Sequence, residues 1–146
     1  IGRPASALEI RMNHDQSKVQ RVSFAVITGL LALVFLASGG AKLAGLESQV
    51  TAFARWGLPT WFLYASGALQ LLAAGLLVQA RTRFFGALLA AVTMVGALFT
   101  HVAAGEFDRL APPIILGLLA AGLVWQQRFT YFRAMGGPSE AVHGRS

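Results

Sequence analysis

The chain has 146 residues, 55% of them hydrophobic and only 12% charged, with a mean hydropathy of +0.61. One domain of this length cannot hide so much apolar surface from water, which excludes an ordinary soluble fold and points to a membrane class. The net charge is +6 and there is no cysteine; disulfides, thiolate metal sites and thiol redox chemistry are excluded, and because the basic residues flank apolar runs they read as membrane topology and not as a nucleic-acid surface.

Residues 1–21 form a polar N-terminal flank. Residues 1–11 precede the first methionine, Met12, and stay outside the fold reading because their nativeness is open. The first apolar run covers residues 22–44. It is about as long as a full crossing, so it is expected to remain as a span and not to be cleaved as a leader. The next runs are 58–78 and 84–104; the fourth, 110–125, is short and is expected to extend to about residue 127 at the interface. A basic tail, 128–146, follows.

Helix is the state these runs can adopt. A helix satisfies its own backbone in lipid, and none of the runs alternates as a barrel strand would. The spans carry many small residues: Gly39, Gly40, Ser66, Gly67, Ala74, Gly75, Gly86, Ala90, Gly96, Ala97, Gly117 and Ala121. Small residues let helices approach closely in a bilayer. The expected fold is therefore all-α, an integral membrane four-helix bundle. Pro59, Pro112 and Pro113 fall where first helical turns tolerate proline.

Loop charge sets the expected orientation. Arg3, Arg11, Lys18, Arg21, Arg81, Arg83, Arg128, Arg133 and Arg145 lie on one side, against Lys42, Arg55 and Arg109 on the other. The positive-inside rule places both termini in the cytoplasm. Trp56, Trp61 and Tyr64 at one face, and Trp125 and Tyr131 at the other, read as interfacial belts. In the outward loop 45–59, Val50, Phe53, Ala54 and Gly57 share one face, with Gln49 and Arg55 off it. That spacing predicts a short amphipathic helix on the outer surface.

The remaining polar residues are few. Lys42, in "FLASGGAKLAG", sits about one turn inside the outer end of the first span, four residues after Ser38. The bland reading is a lysine that snorkels to water. The functional reading groups Ser38, Lys42, Thr100, His101, Glu106 and Asp108 at the outer mouth of the bundle, where a polar head group or a partner would dock. Gln70 and Thr93 lie near the midplane. Interhelical hydrogen bonding is their simplest role, and a quinone carbonyl is the other group an amide donor there would suit.

His101 is the only histidine within a span, with His14 and His143 in the flanks. No haem or metal site is expected from such a set, and no catalytic residue is assigned. No span has Asp or Glu at its middle, which disfavours a proton-coupled multidrug antiporter. No Ser/His/Asp set, phosphate loop or carboxylate pair is visible.

Taken in order, "FLASGGAKLAG", "RWGLP", "YASGALQLLAAGLLVQARTRFFGALLAAVTMVGALFTHV" and "PPIILGLLAAGL" resemble the DoxX-like family of small bacterial membrane proteins. The matching elements are Ser38, Gly39, Lys42 and Leu43; Gly57 and Pro59; and Met94, Ala97, Thr100 and His101. The resemblance covers about residues 22–125. It implies four transmembrane helices. The family takes its name from a subunit associated with thiosulfate:quinone oxidoreductase, and other members act as partners or assembly factors. Many relatives carry Glu where this chain has Gln70, which weakens an enzymatic expectation here.

The expected function is a non-catalytic accessory subunit or assembly factor of a membrane or quinone-linked redox complex. The alternatives are a quinone-binding oxidoreductase subunit and a small carrier or channel. No bound cofactor is expected, and quinone is the one ligand left open. The expected partners are the lipid bilayer and a membrane protein or further copies of the chain, with no nucleic acid. The expected place is the bacterial inner membrane, crossed several times.

Overall fold

The computed structural model describes residues 7–135, with side-chain surroundings for 15–128 and Tyr131. Arg3, His143 and Arg145 lie outside the described residues, and the side chains of Arg11, His14 and Arg133 are likewise outside. The elements run α1 (Ala7–Leu43), α2 (Glu47–Arg55), α3 (Thr60–Val78), α4 (Arg83–Ala103), a 3-10 turn (Phe107–Arg109) and α5 (Ala111–Met135). No strand occurs among the described residues.

Among the described residues four stretches are long and apolar enough to cross a membrane: Asp15–Leu43, Thr60–Val78, Arg83–Ala103 and Phe107–Arg128. At most 33% of each apolar window is buried within the protein. Most of its side chains therefore face outward, an arrangement suited to lipid and not to water. α1 starts within the polar flank and passes unbroken into the apolar run. Its 37 residues span about 55 Å, against a hydrocarbon core of roughly 30 Å. The fourth span is longer than the sequence reading gave it, because the Phe107–Arg109 turn leads directly into α5.

α1 packs on α3, α3 on α4 and α4 on α5, whereas α1 and α5 meet only sparsely. The core lies along that sequence of contacts. Leu31, Phe35, Leu63 and Leu77 are fully buried, with Ala73, Ala87, Ala90 and Ala120 between them.

Glycine decides how close α1 and α3 come. A Cβ on Gly39 would lie 2.8 Å from the Gly67 carbonyl oxygen, and one on Gly67 would lie 2.9 Å from Lys42 Cβ. Neither is tolerable without moving a helix, so this crossing needs both residues as they stand. Not every small residue serves this way. Gly40, Gly75 and Gly96 have nothing within 4 Å of where a Cβ would sit. The expectation that both glycines of Gly39-Gly40 admit a helix is thus corrected to Gly39 alone.

Pro112 and Pro113 lie in the first turn of α5 as expected, whereas Pro59 stands extended just ahead of α3 (φ −69°, ψ 152°). At the far end of α3, Thr82 Oγ1 donates to the Leu76 carbonyl (3.1 Å) and Arg83 Nε to the Leu77 carbonyl (3.0 Å). These bonds satisfy carbonyls that a helix C-terminus leaves open.

Candidate functional site

α2 lies across the end of the bundle where α1 and α4 finish and α3 and α5 begin. Its protein-facing side is set by Phe53, which is buried, and by Gln49, Ala52 and Trp56, which are half-buried. This keeps Phe53 on the buried face read from spacing and corrects the other three residues. Val50, Ala54 and Gly57 are exposed, and α2 turns them away from the bundle because the Phe53 and Trp56 rings offer more area to bury. The two rings touch at 5.2 Å between centroids, and Phe62 lies 6.3 Å from Phe53.

Two helix ends position the polar groups. α4 ends with Gly105 at φ +72°, a left-handed conformation that glycine adopts without penalty. The Gly105 amide donates to the Val102 carbonyl (3.1 Å) and the Glu106 amide to the His101 carbonyl (2.9 Å). This Schellman pair folds Glu106 back over His101. α2 ends in the same way at Gly57 (φ +68°), with the Leu58 amide on the Phe53 carbonyl (2.9 Å). The result holds Arg55 and Trp56 at the turn, facing the end of α4.

There the side chains meet. Glu106 Oε2 is 2.9 Å from His101 Nδ1, and Oε1 is 2.9 Å from Arg55 Nη2. The Trp56 ring stands edge-on to the His101 imidazole, 5.1 Å between centroids at 82°. The Glu106 and His101 side chains are each 16% exposed and Arg55 is 52% exposed. Partial burial pushes the Glu106 carboxyl up. The His101 hydrogen bond, the Trp56 indole and the charges of Arg55 and Arg109 more than reverse this and hold it below its ordinary range. An ionised Glu106 only accepts, so His101 Nδ1 is the donor and its proton is fixed on that nitrogen. The Trp56 Nε1 is buried without a hydrogen-bond partner of good geometry, yet it lies near enough to favour the carboxylate.

The predicted outer cluster therefore divides. His101 and Glu106 come together as a pair. Lys42 Nζ donates to Ser38 Oγ at 2.8 Å, one turn back on α1, and no ion pair joins Lys42 to an acid among the described residues. Thr100 Oγ1 donates to the Gly96 carbonyl of its own helix (3.0 Å). Asp108 is exposed and forms no ion pair there. The partners that sequence reasoning missed are Arg55 and Trp56. Loop charge counts Arg55 toward topology and the aromatic pattern places Trp56 in a belt, yet Trp56 is half-buried against His101. The available signal was the pairing of two Gly-terminated helix ends, "ARWG" and "HVAAGE", with opposite charges beside the glycines.

At the midplane, Gln70 is buried and its Oε1 has no partner. Thr93 Oγ1 donates to the Leu89 and Ala90 carbonyls of its own helix. The expected bond between Gln70 and Thr93 does not form, because Thr93 reaches its own preceding turn more easily. Among the described residues no group of His, Asp and Glu is placed to hold a metal ion.

Four long apolar helices, with a short helix closing one end, define a multi-pass helical membrane protein. The profile of the DoxX-like family matches residues 26–123, and the chain belongs to that family. Comparison with curated proteins and with solved structures gives no significant match.

Proposed function

We propose that the chain is a non-catalytic accessory subunit or assembly factor for a membrane complex, quinone-linked redox complexes being the class the family suggests. The observation that carries this reading is how Glu106 is used. Both of its oxygens are bonded, one to His101 and one to Arg55, so this carboxylate–histidine pair acts as a tie between α2 and α4 and not as a free acid or base. The docking face is then apolar. Val92, Val95 and Phe99 of α4 are 60%, 66% and 74% exposed, and they recur at helical spacing on one side. The proposed setting is the bacterial inner membrane, with both termini in the cytoplasm and the Glu106 tie outside, as the loop charges suggest.

The test is purification of the tagged chain from native membranes after mild cross-linking. The expected result is a stoichiometric membrane-protein partner whose recovery falls with Val95→Trp, and no quinone reduction by the chain alone. A chain that is recovered by itself and reduces quinone overturns the reading. A second reading, quinol binding without chemistry, rests on the unpartnered Gln70 Oε1, which would accept a quinol hydroxyl. It predicts that quinol raises the melting temperature and that Gln70→Leu abolishes the rise.

A further inference from the structure

The end of the molecule opposite the Glu106 tie contains a cleft of about 910 Å³ between α1 and α5, with the ends of α3 and α4 behind it. We propose that this cleft binds one anionic phospholipid, the phosphate at its mouth and an acyl chain along its floor.

Charge is the first argument. Arg21 and Arg83 line the cleft with the amides of Gln126 and Gln127, and among the described residues no Asp or Glu does. Arg83 is held in place: its Nε donates to the Leu77 carbonyl (3.0 Å), and its guanidinium lies 5.3 Å from the centre of the Phe24 ring. A guanidinium fixed in this way presents its remaining N–H groups without further ordering, which suits a phosphate. Gln127 Nε2 is buried with no hydrogen-bond partner, so the cleft already holds a donor that lacks an acceptor.

Shape is the second. Below the arginines the lining turns apolar, with Phe24, Ala32 and Leu77. Thr28 does not interrupt it, because its hydroxyl donates to the Phe24 carbonyl at 2.8 Å. Along α1, the step from Arg21 to Ala32 is about 16 Å. That is close to half of a hydrocarbon core of roughly 30 Å, the depth of one leaflet. A lipid with its phosphate at Arg21 and Arg83 would lay its chain along this floor, in the seam that the sparse contact of α1 with α5 leaves open.

The experiment uses the full chain in a neutral detergent. Melting temperature and native mass spectra are recorded with phosphatidylglycerol, with phosphatidylcholine and with glycerol phosphate. Phosphatidylglycerol is expected to raise the melting temperature by several degrees and to stay bound as one molecule; the other two do neither. Among the described residues Arg21 makes no hydrogen bond of the kind Arg83 makes, so Arg21→Gln should keep the lipid-free melting temperature. It should weaken phosphatidylglycerol retention on the order of tenfold, the loss of one charge-assisted contact. Equal retention of phosphatidylcholine, an equal response to glycerol phosphate, or an Arg21→Gln protein that binds as before would each overturn the proposal.

Discussion

Glu106 joins Arg55 on α2 to His101 on α4. Its carboxyl is held below the ordinary value of 4.5. A group with a lowered folded-state pKa contributes stability above the unfolded value and loses it as pH falls through the folded one. The protein should therefore begin to lose melting temperature in detergent as pH drops below about 4.5. Glu106→Gln should melt lower at neutral pH and show a flatter slope across that acid window; an unchanged slope contradicts the assignment. Lys42 gives a contrasting expectation. Its partner is Ser38 and its stem packs on Gly67, so Lys42→Met, which keeps the stem, should change stability by no more than about 0.5 kcal/mol. A much larger loss in a denaturation series would mean that an acidic partner does engage it. His101 and Glu106 were legible in the sequence because only four residues, Gly105 among them, separate them. Arg55 was not, since the pairing of positions so far apart depends on where α2 lands.

The helices themselves were plain from hydropathy, because length and apolar content are local properties of the chain. Which face each helix turns inward was not. In a membrane the outward side is also apolar, so α1, α3 and α5 give little contrast between sides. On α2 the spacing grouped Phe53 with Val50, Ala54 and Gly57; Phe53 is buried as part of that face, but Trp56 and not the other three shares its burial. Glycines sort by the same geometry, and substitution separates them. Gly67→Ala drives a methyl to within 2.9 Å of Lys42 Cβ and 3.0 Å of the Gly39 carbonyl, and should destabilise by about 1–3 kcal/mol. Gly40→Ala meets nothing within 4 Å and should be neutral or stabilising by up to about 1 kcal/mol, as alanine favours helix over glycine. Parallel melting curves of the two variants check both. Equal effects would mean that α1 and α3 do not cross at Gly39 and Gly67.

Taken whole, the molecule is a row of four long helices with one end tied by Glu106 and the other open between α1 and α5. The number of spans was readable from composition; the opening was not, because it depends on which helices pack only sparsely. The proposed arrangement crosses a bilayer four times with α2 on the outer side. The absence of cysteine from the sequence makes that directly measurable, since any introduced cysteine is the sole thiol. Ser48 in α2, Ala80 between α3 and α4, and Asp15 on α1 are all exposed. With a membrane-impermeant maleimide on intact cells, Ser48→Cys should label fully, while Ala80→Cys and Asp15→Cys should label only after the membrane is opened. Equal labelling of all three in intact cells, or labelling of Ala80→Cys and Asp15→Cys with Ser48→Cys protected, would contradict the account.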